Sequence, residues 1–255
     1  MGARSSLAQR LALLTSAFAV VIGCSRATAP LVVERHADVA LTGGASTSMI
    51  YLARTADGIL AIDLGWWGHR SALTRSLSRL GATPADVRWV FLTHSHRDHL
   101  AAWPMLKRPQ VFVGMAEQPL LLGSAEYRAW IPRWSERLKP TESPSADSVE
   151  IVTFSQDTAF VLGSDTLRAY LVTGHTPGSA VYLFRGALFL GDAITYTWHG
   201  GFAPAKRHVS DDTHEAAESL SRLWPRLPRN GVRYACTAHA RCAPFNAKFL
   251  KDIAR

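Results

Sequence analysis

Cysteine is scarce in this chain, with three in 255 residues, so no disulfide scaffold holds it together. Charge is thin as well. Asp, Glu, Lys and Arg make up 19% of the residues, against the ~25% usual in soluble domains, and no run of Lys or Arg exceeds two. A nucleic-acid partner is therefore not expected, and Lys206-Arg207 reads as a solvated surface pair. There is no internal repeat, no low-complexity tract and no Gly-x-Ser-x-Gly elbow. Beyond the N-terminus no stretch reaches the ~18 apolar residues that a membrane span needs, and Arg185 interrupts the nearest, Val181 to Ile194. What is present is core material. Hydrophobic residues are 47%, with eight Trp and ten Phe, which excludes disorder and collagen-like repeats. The length fits one large domain or two small ones.

The N-terminus is a targeting segment. Arg4 and Arg10 flank the start of an apolar run, Leu11 to Ile22, and Gly23-Cys24 follows. That is the layout of a secretory signal, too short for a comfortable span. The ending Val21-Ile22-Gly23-Cys24 resembles the lipobox of bacterial lipoproteins. The resemblance implies cleavage before Cys24 and a diacylglyceryl group on it. With Ser25 following, it also implies the periplasmic face of the outer membrane. An ordinary signal peptide, leaving a soluble periplasmic or secreted protein, is the alternative. On this reading residues 1–23 are a signal and 24–255 a single domain. Removing the signal deletes two Arg and no acid, so the net charge is +6 instead of +8. Such a balance suits anionic substrates or phosphate-rich surfaces.

Apolar stretches punctuated by turn residues read as strands at Leu31–Arg35, Ser48–Ala53 and Gly58–Asp63, the first two separated by Gly43-Gly44. A helical pattern over His69–Leu80 stops at Gly81. Val87–Leu92 is an apolar strand broken only by Arg88, and a short helix is expected from about His99. Tyr127, Trp130 and Trp134 fall at helical spacing within 117–139, before Pro140 and a Ser/Pro loop. Strands follow at 149–154, 158–162, 166–173, 179–184 and 187–191. The chain closes with a helix over Asp211–Trp224, a strand at Arg233–Cys236 and a helix over Pro244–Ile253. This order makes two similar βα halves: a mixed α/β sandwich, not a doubly wound sheet.

Thr93-His94-Ser95-His96-Arg97-Asp98-His99 is the most informative segment. His94 and His96, two apart at a strand's end, can point the same way. Asp98 and His99 lie where the chain leaves the strand. Of ten histidines three fall here, and four ligand-type side chains in six residues suit a pair of divalent metals. Further ligand types recur downstream, each after an apolar strand: His175 in Gly174-His175-Thr176-Pro177-Gly178-Ser179, Asp192 in Leu190-Gly191-Asp192, and His239 in Thr237-Ala238-His239. Asp63 in Ile62-Asp63-Leu64-Gly65 completes the ordered set.

In these five motifs, taken in order, the chain resembles the metallo-β-lactamase superfamily over essentially its whole mature length. The resemblance implies an αββα four-layer sandwich with a dinuclear metal site along one edge. By motif matching it implies His94, His96 and His175 on the first metal and Asp98, His99 and His239 on the second, with Asp192 bridging. Asp63 would orient a ligand through hydrogen bonds. Five imidazoles and two carboxylates suit two Zn²⁺ per chain, with Fe and Mn also accommodated. With no serine elbow and no cysteine in the turn, the expected nucleophile is water. A metal pair lowers its pKa toward ~7 and polarises the carbonyl it attacks. Asp98 is placed to hold that water's proton, and Tyr196 either donates to the developing oxyanion or simply packs.

Departures from subfamily patterns narrow the substrate, a small molecule. Asp192 stands where one β-lactamase subgroup carries a Cys ligand, and all-histidine β-lactamases usually lack it. Leu-Gly-Asp is similar to glyoxalase II and the homoserine-lactone lactonases. Yet the sequence stops sixteen residues after His239, too soon for glyoxalase II's helical domain, and Tyr196 follows Asp192 by four residues where lactonases use three. The expected reaction is hydrolysis of an ester, lactone, thioester or amide. An all-histidine-type β-lactamase is the first alternative, and a mononuclear iron persulfide dioxygenase the alternative from another class. Trp66-Trp67, Trp103 and the loop Tyr196–His208, with Trp198, Gly200 and Gly201, are candidate pocket walls, the loop reading as a mobile cover. Cys236 and Cys242 bracket His239. In an oxidising compartment a disulfide that pins its loop is favoured, with added metal ligation and two reduced thiols as the other readings. Nothing in the sequence sets the oligomeric state.

Overall fold

The computed structural model describes residues 39–42, 48–66, 70–142, 144, 148–196, 201–204, 206–240 and 242–253. The expected signal, Cys24, the Leu31–Arg35 strand and Gly43-Gly44 lie outside them. Strands β1 (Val39–Thr42), β2 (Ile50–Thr55), β3 (Gly58–Ile62), β4 (Val87–Phe91), β5 (Gln110–Gly114) and β6 (Glu150–Phe154) form one sheet in that order. Its first two pairings are antiparallel and its last three parallel. Strands β7 (Thr158–Leu162), β8 (Asp165–Leu171), β9 (Ala180–Phe184) and β10 (Ala187–Gly191) form an antiparallel run. β13 (Tyr234–Thr237) joins it parallel to β10, and β14 (Ala243–Pro244) completes the second sheet. A separate hairpin pairs β11 (Ile194–Tyr196) with β12 (Phe202–Pro204).

The alternation of side chains along the strands builds the layers. In β4, Trp89 and Phe91 face the space between the sheets, where Tyr51, Ile62, Phe112, Tyr182, Phe184 and Phe189 join them. Val90 and Leu92 face the other way, against Leu73 and Leu77 of α1 (Arg70–Arg79). On the far side, Val181, Leu183 and Leu188 of the second sheet meet Leu220 and Leu223 of α4 (Thr213–Leu223) and Phe249 and Ile253 of α5 (Ala247–Ile253). Helix, sheet, sheet, helix is the expected αββα sandwich. Because β9 and β10 are covered on both faces, every residue in them is buried.

The 117–139 segment departs from a single helical pattern. It splits into α2 (Gln118–Leu121) and α3 (Trp130–Leu138). Gly123, at φ 68°, ends the first where the Ser124 and Ala125 amides turn back to the Pro119 carbonyl. Tyr127 then runs inward and is buried, while Trp130 and Trp134 stay on the surface. Trp103, a candidate pocket wall, is instead core beneath α1.

Helix α4 is started by Asp212, whose carboxylate accepts from the His214 and Glu215 amides, both at 2.9 Å. The same residue's amide donates to the Gly174 carbonyl at 2.8 Å, joining the helix start to the His175 loop. Asp212→Ala is expected to lower the Tm by roughly 2–4 °C, read by calorimetry, with Asp212→Asn retaining most of the stability.

Candidate metal centre

All the ligand-type residues emerge at one rim. β3 and β4 run parallel and deliver Asp63 and the His94–His99 turn; β8, β10 and β13 run alike and deliver His175, Asp192 and His239. The sheets are tied at that rim by the Ala180 amide to the Thr93 carbonyl at 2.8 Å and the Met49 amide to the Ala238 carbonyl at 2.7 Å. Two turns admit only glycine. A Cβ on Gly191, at φ 51°, would sit 2.6 Å from the Thr93 side chain; one on Gly174, at φ 116°, would sit 2.1 Å from the Ala216 amide. Each turn aims the ligand type that follows it.

The side chains gather into linked groups whose candidate ligand atoms lie within 4.8 Å of one another: His94, His96 and His175; Asp98, His99 and His239; and His94, His99 and Asp192. His175 Nε2 is 3.1 Å from His94 Nε2 and 3.2 Å from His96 Nδ1. Asp192 sits between the groups, its oxygens 3.7 Å from His99 Nε2, 3.7 Å from His175 Nε2 and 3.1 Å from His239 Nε2. Among the described residues, His99 Nε2 and Asp192 Oδ1, both in this cluster, are buried atoms with no hydrogen-bond partner. Imidazole nitrogens facing one another, together with orphaned lone pairs, fit a cation and little else.

The proton affinities divide the site. Burial pushes His94 and His96 well below the usual imidazole range, and brings His175 down to about 4. These three are neutral lone-pair donors at pH 7. Burial would lower His99 too, but Asp63, Asp98 and Asp192 outweigh it and hold the ring up to about 10. His239 is raised against its burial by Asp192 and Asp98. Asp192, which burial alone would raise, is held below the carboxylate range by His239, His99 and His175. Cation binding at the second group therefore displaces protons.

The supporting residues fix ring orientation. Asp63, buried and at φ 56°, accepts from His99 Nδ1 at 2.9 Å and from the Thr93 amide and hydroxyl, both at 2.8 Å. These bonds set the orientation of the His99 ring. Ser210 meets His175 Nδ1 at 2.9 Å and Thr93 meets His94 Nδ1 at 3.1 Å, leaving both Nε2 atoms for the centre. Glu117 escaped the reading of the sequence. Fully buried, it accepts from the Ser95 amide and hydroxyl at 2.8 and 2.5 Å and from Thr176 Oγ1 and the Gly178 amide at 2.6 and 3.0 Å. Burial raises its pKa while these donors oppose the rise. It clamps the His94–His96 turn to the His175 loop. No local pattern marked it, because all its partners are distant in sequence and reach it only through the fold; Thr93 was at least adjacent to the histidines.

Other candidates fall differently. Tyr196 ends β11 opposite Phe202, and its side chain lies outside the described residues, as do Trp67, Trp198 and Gly200. Trp66 lines a cavity of about 420 Å³ with Arg70, Arg97 and Leu100. Lys206 and Arg207 are exposed. Cys236 and Cys242 are joined as a disulfide around the His239 loop, with Cα atoms 4.0 Å apart. Mass spectrometry of protein kept oxidised is expected to find these thiols closed to alkylation; two freely alkylated thiols would overturn the bridge. Chelator competition is expected to show Asp63→Asn weakening metal affinity by roughly 10–100-fold. His94→Ala and Asp192→Ala should lose bound metal, and full retention in either would remove that residue from the centre.

Protein artemis of Danio rerio is 29% identical over 130 residues, covering 46% of this chain and 19% of artemis. Hydroxyacylglutathione hydrolase of Bartonella henselae is 29% identical over 126 residues, 49% of this chain and 40% of that protein. The chain spans less than half the length of either. BJP-1, a subclass B3 metallo-beta-lactamase of Bradyrhizobium japonicum, superposes with a TM-score of 0.60 at 18% identity, covering 83% of this chain and 78% of the other. The B3 metallo-beta-lactamase BLEG-1 gives 0.57 at 22% identity, over 77% and 88%. At such identities the structures share the fold. The family profile of the metallo-beta-lactamase superfamily matches residues 43–226, across the strands that deliver His94, His96, Asp98, His99, His175 and Asp192, and the chain belongs to that superfamily.

Proposed function

We propose that this chain is a dinuclear metal hydrolase that opens an ester, lactone, thioester or amide carbonyl of a small molecule. The observation that carries the reading is the doubled donor set: three neutral buried imidazoles on one side, Asp98, His99 and His239 on the other, and Asp192 within reach of both. His94, His96 and His175 would hold one metal, Asp98, His99 and His239 the other, and Asp192 would bridge them. Zinc suits these donors best, with iron and manganese as the other fits. When bound, such a pair supplies Lewis acidity and lowers the pKa of water toward ~7.

The protein's own groups set the direction of the chemistry. His94, His96, His99 and His175 are sealed, while the side chains of Asp98, Asp192 and His239 keep 24%, 14% and 26% exposure. Water and substrate therefore enter on the Asp98–His239 side. Asp98 lies at that opening, 3.4 Å from His239 Nε2, where its carboxylate can take up the attacking water's proton. Tyr196 is the proposed donor to the oxyanion. Ser95 cannot compete as nucleophile, since its hydroxyl is bonded to Glu117 and buried. Export, with lipid attachment at Cys24 on the periplasmic face of the outer membrane, belongs to the same proposal and rests on the N-terminal sequence alone.

A β-lactamase of the all-histidine type is the second reading, favoured by the likeness to B3 enzymes and by an exported location. Asp192, seated between the groups, favours the lactone or thioester reading, as does the relationship to a hydroxyacylglutathione hydrolase. A mononuclear iron persulfide dioxygenase would leave the Asp98–His99–His239 group unused. Metal analysis of the purified protein is expected to give close to two zinc per chain. One iron per chain with persulfide-dependent oxygen consumption would overturn the hydrolase. Turnover of lactones or thioesters without carbapenem hydrolysis is the expected substrate pattern, and carbapenem hydrolysis would move the assignment to the β-lactamases.

A further inference from the structure

Helix α3 presents large apolar side chains to solvent. Trp130, Trp134 and Leu138 stand one turn apart and are 58%, 58% and 64% exposed. Pro132 is the buried residue of the helix, with Ser135 and Glu136 half-buried. Arg133 and Arg137, both exposed, each follow a tryptophan by three residues and so border the same stripe. Arg128 and Lys139 are exposed at the two ends. The nearby acids offset this charge only in part: Glu136 also faces Arg97 at 3.6 Å, and Glu126, 3.3 Å from Arg137, is one carboxylate against the four cations Arg128, Arg133, Arg137 and Lys139.

The stripe is also held in place. The Ala129 amide donates to Asp211 Oδ1 at 2.7 Å, the Ile131 amide to the His208 carbonyl at 3.3 Å, and Arg97 Nη2 to the Ser135 carbonyl at 2.8 Å. Aromatic rings bordered by arginines, on a helix already formed, are the composition that the headgroup region of a bilayer accepts. A contiguous exposed patch of this kind marks an interaction site.

We propose that this face of α3 docks on an anionic phospholipid bilayer, the two indoles and Leu138 entering the boundary between headgroups and acyl chains, the arginines meeting lipid phosphates. Charge complementarity selects the occupant, since the stripe is ringed by cations in a chain with 28 Lys and Arg against 20 Asp and Glu. The chain outside the described residues agrees. It holds the apolar run Leu11–Ile22 and Cys24, and Cys24 precedes Val39 by fifteen residues, a reach of at most about 50 Å when extended. A domain tethered at Cys24 is thereby kept within range of the leaflet on which α3 would lie. The tether rests on the lipoprotein reading, whereas docking through α3 is a separate contact.

The test uses the full chain and its Cys24→Ser variant with vesicles of phosphatidylethanolamine and phosphatidylglycerol, read by hydrogen exchange and by sedimentation. Slowed exchange at 130–138 is expected in both proteins with these vesicles, and not with phosphatidylcholine alone. Because the readout is local, binding through residues 11–22 does not imitate it. Trp130→Ser/Trp134→Ser in the Cys24→Ser background should remove the protection and weaken binding on the order of tenfold. Arg133→Gln and Arg137→Gln should each cost roughly fivefold on anionic vesicles. Unchanged exchange at 130–138 while the chain sediments with vesicles would overturn docking and leave the anchor standing. Protection that appears with protein concentration alone would also overturn it, assigning the face to a second copy of the chain.

Discussion

Four buried histidines whose nitrogens point at one another impose the constraint under which the rest of this molecule is built. His94, His96, His99 and His175 have lost their water, and the facing nitrogens of His94, His96 and His175 meet at 3.1–3.2 Å. A cluster of this kind is costly unless something positively charged sits among the nitrogens, and it is useful only if the nitrogens are kept there beforehand. The second partners of the rings meet that need. Thr93, Ser210 and Asp63 each occupy the nitrogen that faces away and turn the other inward.

Holding the rings also means holding the loops that carry them, and here two buried carboxylates act across the fold. Asp63 joins β3 to the histidine turn, and Glu117 joins that turn to the loop after β8. Gly174 and Gly191 allow backbone to approach where a side chain would collide. The result is a rigid inner half, made of neutral imidazoles, and a more open outer half, where Asp98, Asp192 and His239 keep contact with solvent. That asymmetry gives the site a direction of entry.

The same packing explains the surface of α3. Pro132 and Tyr127 face inward, so the helix spends its smallest apolar contact on the core and leaves its tryptophans outside. Periodicity announced a helix there without saying which side would be buried. Spacing of Tyr127, Trp130 and Trp134 is equally compatible with a core stripe, and only the break at Gly123 and the anchoring to Asp211 and His208 set the rotation.

The sequence by itself determined the layer order and most of the site. Alternation in Val87–Leu92, glycine and proline punctuation, and the run His94-Ser95-His96-Arg97-Asp98-His99 are local signals, and each is read within a few residues. His175, Asp192 and His239 were legible because each ends an apolar strand, and parallel strands of a sandwich end at one rim. Tertiary structure alone decided what depends on contacts between distant segments. It made Glu117 a clamp across 22 and 59 residues, turned Trp103 into core and exposed the α3 tryptophans. A buried carboxylate or an exposed ring is defined by what packs against it, and no property of the residue or its immediate neighbours carries that information.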